Sequence, residues 1–288
     1  QGDNIGYMIP PPVIRHFLQD LEDGAYDGIP SLGVSVQSME NPGIRKKYGM
    51  EESTTGVLVN RVHWSSPAQG LLAPGDVIVS VTGVDVENDG TVAFREGERT
   101  HFAYRVQQKF MDEAARLKIW RNGEVVDVDV PLTKGLHFER LVPCERHDVT
   151  PTYYIFGGLV FEPLTENYLM TWGAEPYEKA PSNLTDCFLN GVKSAGRREV
   201  VLLVKVLADE SNVGYHNLRN RVISKVNGVD IAGMQELVEA LEEHDGPYHE
   251  IVDEKGYRIV LDAGGIAERN QNILDTFRIL SGKSKDLE

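Results

Sequence analysis

At 288 residues and 41% hydrophobic content, the chain is long enough to bury a sizeable core and to form two domains. A net charge of −15 excludes the basic footprint that nucleic acid requires, and the acidity is spread along the chain as on a solvated surface. No apolar stretch is long enough for a membrane helix, no basic-then-apolar leader is present, and Cys144 and Cys187 lack metal spacing and permit one disulfide at most.

In chain order, Ile5, Tyr7 and Ile9 alternate within Asn4 to Pro10, which is strand patterning stopped by a proline. Val13, Ile14, Phe17, Leu18 and Leu21 then form one apolar helical face, with Gly24 as the stop and Ala25 to Pro30 as a linker. The interior repeats itself. The first copy has an apolar-Gly-apolar element, Leu32-Gly33-Val34, and a strand over Gly56 to Val62. Ser66-Pro67-Ala68, Gly75-Asp76-Val77-Ile78 and a Gly83-Val84 turn follow. Phe102, Val106 and Phe110 predict one helix face, and Asn122-Gly123 predicts a hairpin between Leu117 to Trp120 and Val126 to Val130.

The second copy has Phe156-Gly157-Gly158-Leu159, a strand over Val200 to Val206, then Asn220-Arg221-Val222-Ile223 and a Gly228-Val229 turn. Met234, Leu237, Val238 and Leu241 recur at helical spacing, and Glu250 to Val252 with Arg258 to Leu261 predict the returning strands. An insertion of roughly twenty residues falls within about 165–198 and holds Tyr168, Trp172, Tyr177 and Phe188. These aromatics either present a contact surface or pack the insert onto its own domain. Asn183-Leu184-Thr185 reads as a chance glycosylation triplet. Ile266, Ala267, Ile273, Leu274 and Phe277 predict a closing helix, and Ser281 to Glu288 a frayed end.

This order of loop, strand, Ser-Pro-Ala, Gly-Asp-Val-Ile, Gly-Val turn and helix resembles the circularly permuted PDZ pattern of the HtrA/Deg serine proteases, and most of all their plant-type branch. The resemblance covers nearly the whole chain, and the second copy departs from it at Asn220-Arg221. It implies an α+β, mainly β fold of two PDZ-like, partly open β-barrel or sandwich domains, each with a capping helix. Residues 1–24 would be the end of a trypsin-like protease domain, 25–140 the first PDZ domain, and 141–288 the second, with its insertion and closing helix. The first domain would hold hydrophobic peptide C-termini or unfolded protein segments. The second would support self-association of a full-length endopeptidase in protein quality control.

A PDZ module adds an extended peptide to a strand edge while loop amides receive its carboxylate, so a glycine must bring backbone N–H groups close to the anion. Leu32, Gly33 and Val34 supply that loop, with Ser35, Val36 and Gln37 as the pairing edge and Phe102 and Val106 as the opposite wall. Gly158 and Leu159, with the Met234 to Leu241 helix, are the second set. The alternative is that either groove is filled by the protein's own chain, leaving an assembly module. No Gly-Asn-Ser-Gly-Gly or Gly-x-Ser-x-Gly context exists, and His16 and His63 lack a catalytic setting, so no catalytic residue is assigned and this chain should not cleave peptides. Asp85 to Glu96 carries calcium-loop spacing but follows a strand, and His244 and His249 lack ligand spacing. No metal or cofactor is expected. The compartment is open: a cell envelope if bacterial, an organelle or nucleus if eukaryotic.

Overall fold

The computed structural model describes residues 8–51, 53–147 and 149–288. The strand expected over Asn4 to Pro10 falls for its first four residues outside these, and Met8 to Pro10 have no regular structure. The chain divides after Glu139 into two compact units.

The first unit opens with α1 (Pro11–Asp20), whose proline sits where a missing N–H costs nothing. Gly24, at φ +91°, closes the turn that follows. The apolar face of α1 remains open: Val13, Ile14, Phe17 and Leu18 are between 44% and 58% exposed. Then come β1 (Val34–Ser38), α2 (Pro42–Lys47), β2 (Val57–Val62), β3 (Val77–Val81) and β4 (Val84–Asp85). A hairpin of β5 (Thr91–Arg95) and β6 (Glu98–His101) leads into α3 (Ala103–Gln107), and β7 (Ala114–Arg121) and β8 (Glu124–Pro131) return.

The sheet runs β1-β2-β3-β7-β8, all neighbours antiparallel, with β4 appended to β3. Asn122 and Gly123 both take positive φ between β7 and β8, as an Asn-Gly hairpin turn requires. Val57, Val59, Ile78, Val81, Leu117 and Ile119 fill the core beneath α3. Each such burial contributes roughly 1.5–3 kcal/mol. The α3 helix is shorter than the spacing predicts. Phe102 occupies its N-cap, and Phe110 lies beyond its end, stacked on His16 at 4.2 Å between ring centroids.

The second unit contains β9 (Tyr154–Phe156), β10 (Leu159–Pro163), α4 (Glu166–Met170), α5 (Pro176–Lys179), α6 (Ser182–Asn190) and β11 (Val201–Val206). Next are β12 (Arg221–Val226), β13 (Val229–Asp230), α7 (Met234–Glu242), β14 (Tyr248–Asp253), β15 (Arg258–Asp262) and α8 (Ile266–Phe277). Its sheet runs β15-β14-β12-β11-β10-β9, with β13 appended to β12. Neither sheet closes into a barrel among the described residues. The fold is thus mainly β with short helices, as expected. The aromatics of the insert pack inward. Phe188 is buried with Leu164, Leu169, Leu184 and Leu202, Tyr168 and Trp172 lean on the same cluster, and Tyr177 stacks on Phe188.

One buried ion pair distinguishes the units. Asp76, 3% exposed, receives two hydrogen bonds from the Arg121 guanidinium, at 2.8 and 2.7 Å, and a third from the Ala73 amide at 2.7 Å. These bonds hold Arg121 above the ordinary guanidinium range. In the second unit the strand carries the cation: Arg221 donates to the buried Asp253 at 2.9 Å and lies over the Tyr257 ring. Arg221 thus stands where Asp76 does, but its anion does not replace Arg121: Asp253 lies opposite Ile223 as Ile119 lies opposite Ile78, two residues along the returning strand from the place of Arg121.

Candidate peptide-binding sites

β1 is the terminal strand of its sheet. Val34 pairs with Val62 and Ser35 with Arg61; after a bulge, Val36 pairs with Val59, Gln37 with Leu58 and Ser38 with Val57. No strand covers its other edge among the described residues, so that edge presents backbone donors and acceptors to an incoming chain. Val34 and Val36 lean on the core while Ser35 and Gln37 are exposed, the alternation of a half-buried strand.

Gly33 precedes the strand with φ +69°. Its N–H donates to Ser31 Oγ at 3.1 Å and its carbonyl accepts from His63 N at 2.9 Å. A Cβ at Gly33 would stand 2.4 Å from Ser66 Cβ and 2.7 Å from the Phe138 ring, so only glycine fits. Phe138 belongs to the segment after β8, which is tied down where Ser31 N donates to Lys134 O at 2.9 Å and Leu136 N to Ile29 O at 2.8 Å. Leu32, Phe102 and Val106 are all buried in the core, so they floor the region behind the edge rather than stand as an open wall.

At the second set the edge is taken. Gly157 and Gly158 have φ +56° and +81°, a two-residue reversal that pairs Leu159 with Phe156, Val160 with Ile155 and Phe161 with Tyr154. A Cβ on Gly158 would meet Leu207 O and Asn212 Nδ2 at 2.5 Å. The buried Asn212 side chain holds the turn by donating to Gly157 O at 3.0 Å and Leu207 O at 2.8 Å, while Asn270 of α8 accepts from Gly157 N at 3.0 Å. Tyr154 and Phe156 enter the core with Met234, Leu237, Val238 and Leu241 of α7. The Tyr154 hydroxyl donates to Glu242 at 3.3 Å, and burial, reinforced by that carboxylate, raises its pKa. The outer edge of β9 pairs in turn with the tail: Ile155 N donates to Gly282 O at 2.6 Å and Ser284 N to Tyr153 O at 3.0 Å. The tail expected to fray is thus part of the sheet. Gly158 and Leu159 sit within this hairpin, and the alternative of a self-filled groove describes this edge. The Gly157-Gly158 pair is a turn signal that the sequence already carried.

A serine–histidine hydrogen bond lies beside the first edge: Ser35 Oγ is 3.0 Å from His63 Nε2. It does not make a nucleophile, because His63 Nδ1 is buried without a partner and no carboxylate orients the ring. Burial holds the His63 pKa below its ordinary value, opposed by Glu139 and aided by Arg61. In the calcium-like loop two of the four expected ligand residues are engaged: Asp89 accepts from Thr91 and Glu87 pairs with Arg99. No cluster of His, Cys, Asp or Glu fit for a metal occurs among the described residues. Both cysteines are free, and no helix there is long and apolar enough to cross a membrane.

Two antiparallel sheets, each with a glycine turn and a covering helix, match one domain family twice. The PDZ domain accounts for residues 30–132 and again for residues 142–286. This chain belongs to the PDZ-domain family. Its two PDZ domains are similar, along the whole chain, to the PDZ region of plant Deg/HtrA proteases. Protease Do-like 2, chloroplastic, of Arabidopsis thaliana is 36% identical over 293 residues, covering 100% of this chain and 46% of the relative. Protease Do-like 4, mitochondrial, of the same plant is 33% identical over 288 residues, covering 100% of this chain and 52% of its own length. The chain therefore spans about half the length of these relatives, and with residues 30–286 given to PDZ domains it holds no protease domain. Among solved structures, an HtrA-type protease, AlgW, with a decapeptide has 25% identity and a TM-score of 0.32 over 43% of this chain and 35% of its own.

Proposed function

We propose that this chain is the peptide-docking and assembly part of a Deg/HtrA-type serine endopeptidase of protein quality control. The first PDZ domain takes an extended peptide or hydrophobic C-terminus along β1. Leu32, Gly33 and Val34 face the carboxylate, Ser35 to Gln37 supply the pairing edge, and Phe102 and Val106 form the apolar floor. The observation that carries this reading is the contrast of edges: β1 is unpaired beside its glycine turn, whereas β10 is paired with β9. Peptide capture then falls to the first domain. The second, its groove filled by Tyr154 and Phe156, supports self-association of the full-length protein. Residues 1–24 are read as the end of a preceding trypsin-like domain, a reading supported by the open apolar face of α1.

Fluorescence anisotropy of the whole chain with labelled peptides ending in Val, Leu or Phe should give dissociation constants of about 1–100 µM. Amidation of the terminus should weaken binding at least about tenfold, because a charge-assisted set of hydrogen bonds is lost. Absence of binding across a broad peptide library would remove the docking role. Cleavage of casein by this chain alone would contradict the placement of catalysis outside it.

A further inference from the structure

We infer that Ser35, His63 and Arg61 form a polar recognition element for the penultimate ligand residue and favour an acidic side chain there. This rests on the docking reading above and adds the chemistry of the ligand. A peptide whose carboxylate meets the turn at Gly33 runs antiparallel to β1, so its last residue faces Val34 and its penultimate residue faces Ser35. Residues opposite one another on adjacent strands project to the same side. The terminal side chain therefore shares the apolar face of Val34, and the penultimate one shares the exposed face of Ser35.

That face is polar and continuous across two strands. Ser35 pairs with Arg61 of β2, and Ser35 Oγ lies 3.0 Å from His63 Nε2. Arg61 is exposed and makes no ion pair among the described residues. It sits two strand spacings, roughly 10 Å, from the incoming backbone, within the joint reach of an arginine and an acidic side chain. His63 Nδ1 is buried without a partner. A bare buried N–H is costlier than a bare lone pair, which favours the tautomer with the proton on Nε2. Nε2–H then donates to Ser35 Oγ, and the serine keeps its own hydrogen for an acceptor on the ligand. A carboxylate satisfies both demands: it accepts from Ser35 and faces Arg61. Glu139, whose charge acts on His63, offsets part of that charge and keeps the preference moderate.

The test uses the whole chain and fluorescent decapeptides that share one hydrophobic terminal residue and differ only in Asp, Ala or Lys before it. The Asp peptide should bind about five- to tenfold more tightly than the Ala peptide, and the Lys peptide more weakly than both. Arg61→Ala should bring the Asp-to-Ala ratio close to one, and raised salt should shrink it in the parent chain. Equal affinities for the three peptides would overturn this inference while the docking reading stands. Failure of all three to bind would remove the docking reading and this inference with it.

Discussion

The chain reaches β1 through Pro30-Ser31-Leu32-Gly33 and reaches β10 through Ile155-Phe156-Gly157-Gly158, so similar sequences lead to opposite uses of an edge. A two-residue reversal needs positive φ at both central positions. Gly157 and Gly158 supply both, and the incoming segment folds back to pair with β10. In the first domain Leu32 stands where Gly157 does, and a buried leucine does not adopt that conformation without strain. The incoming segment instead bridges Gly135 through Pro30, while Ser31 Oγ receives the Gly33 amide. One glycine more or less decides whether the edge is spent internally or left for a partner.

The comparison breaks most severely at its hinge. Gly157→Leu imposes the residue of the first domain at φ +56°, and its Cβ would stand 2.5 Å from Leu261 Cδ1. We expect a loss of about 3–5 kcal/mol in the second unit. Hydrogen exchange resolved by peptide should show Tyr154 to Phe156 unprotected while β1 and β2 are unchanged. Protection retained at Tyr154 would show that tertiary packing, not the turn, places β9.

Next in size are the ion pairs. Asp76→Ala or Asp253→Ala should each cost about 2–4 kcal/mol in urea unfolding, since each strands an arginine and two or more donors beside a buried site. The double reversal Asp76→Arg with Arg121→Asp inverts the first pair in place. It should recover about 1–3 kcal/mol relative to the sum of its single changes. Strict additivity would mean that the inverted pair does not re-form.

Acid should separate the units by a smaller amount. His249 is buried, with its ring edge-on to Phe156 of β9 and near His244, and burial first, then His244, keeps its pKa below 6.5. The unfolded chain therefore takes up the proton first as pH falls. Its stabilising effect is complete above about pH 7 and declines as pH drops through 6.5 toward the depressed value. Second-unit melting should fall by a few degrees, about 2–4 °C, over that interval, and His249→Gln should flatten the slope. Smallest of all, Arg116→Ala should leave stability unchanged, because its partner Asp129 and the arginine itself lie in open solvent.

Much of this architecture was legible before any coordinate. Asn122-Gly123 marked its hairpin, the Met234 to Leu241 spacing marked α7, and alternation marked the paired strands, because each signal is local. Elements fixed by distant partners were not legible. The β5–β6 hairpin turns at Glu96-Gly97 with few apolar residues to announce it, and the loop before it carries a calcium-like spacing although Asp89 is bound to Thr91 and Glu87 to Arg99. The tail looked free because its partner, β9, lies some 130 residues earlier. The recognition face was divided likewise: Ser35 and Gln37 could be named from the strand pattern, but His63 and Arg61 join them only through the β1–β2 register.

The opposite polarity of the two buried ion pairs also bears on how a duplicated chain assembles. A nascent molecule holds two near-copies of the same sheet, so the returning strand of one repeat has a second place to insert. Such an exchange would take Arg121 away from the buried Asp76 and Arg221 away from the buried Asp253, leaving each carboxylate out of water without its guanidinium. Tandem repeats with matching strand ends are prone to this kind of misassembly. The Asp76–Arg121 and Arg221–Asp253 pairs act as keyed ends that admit each strand to its own repeat.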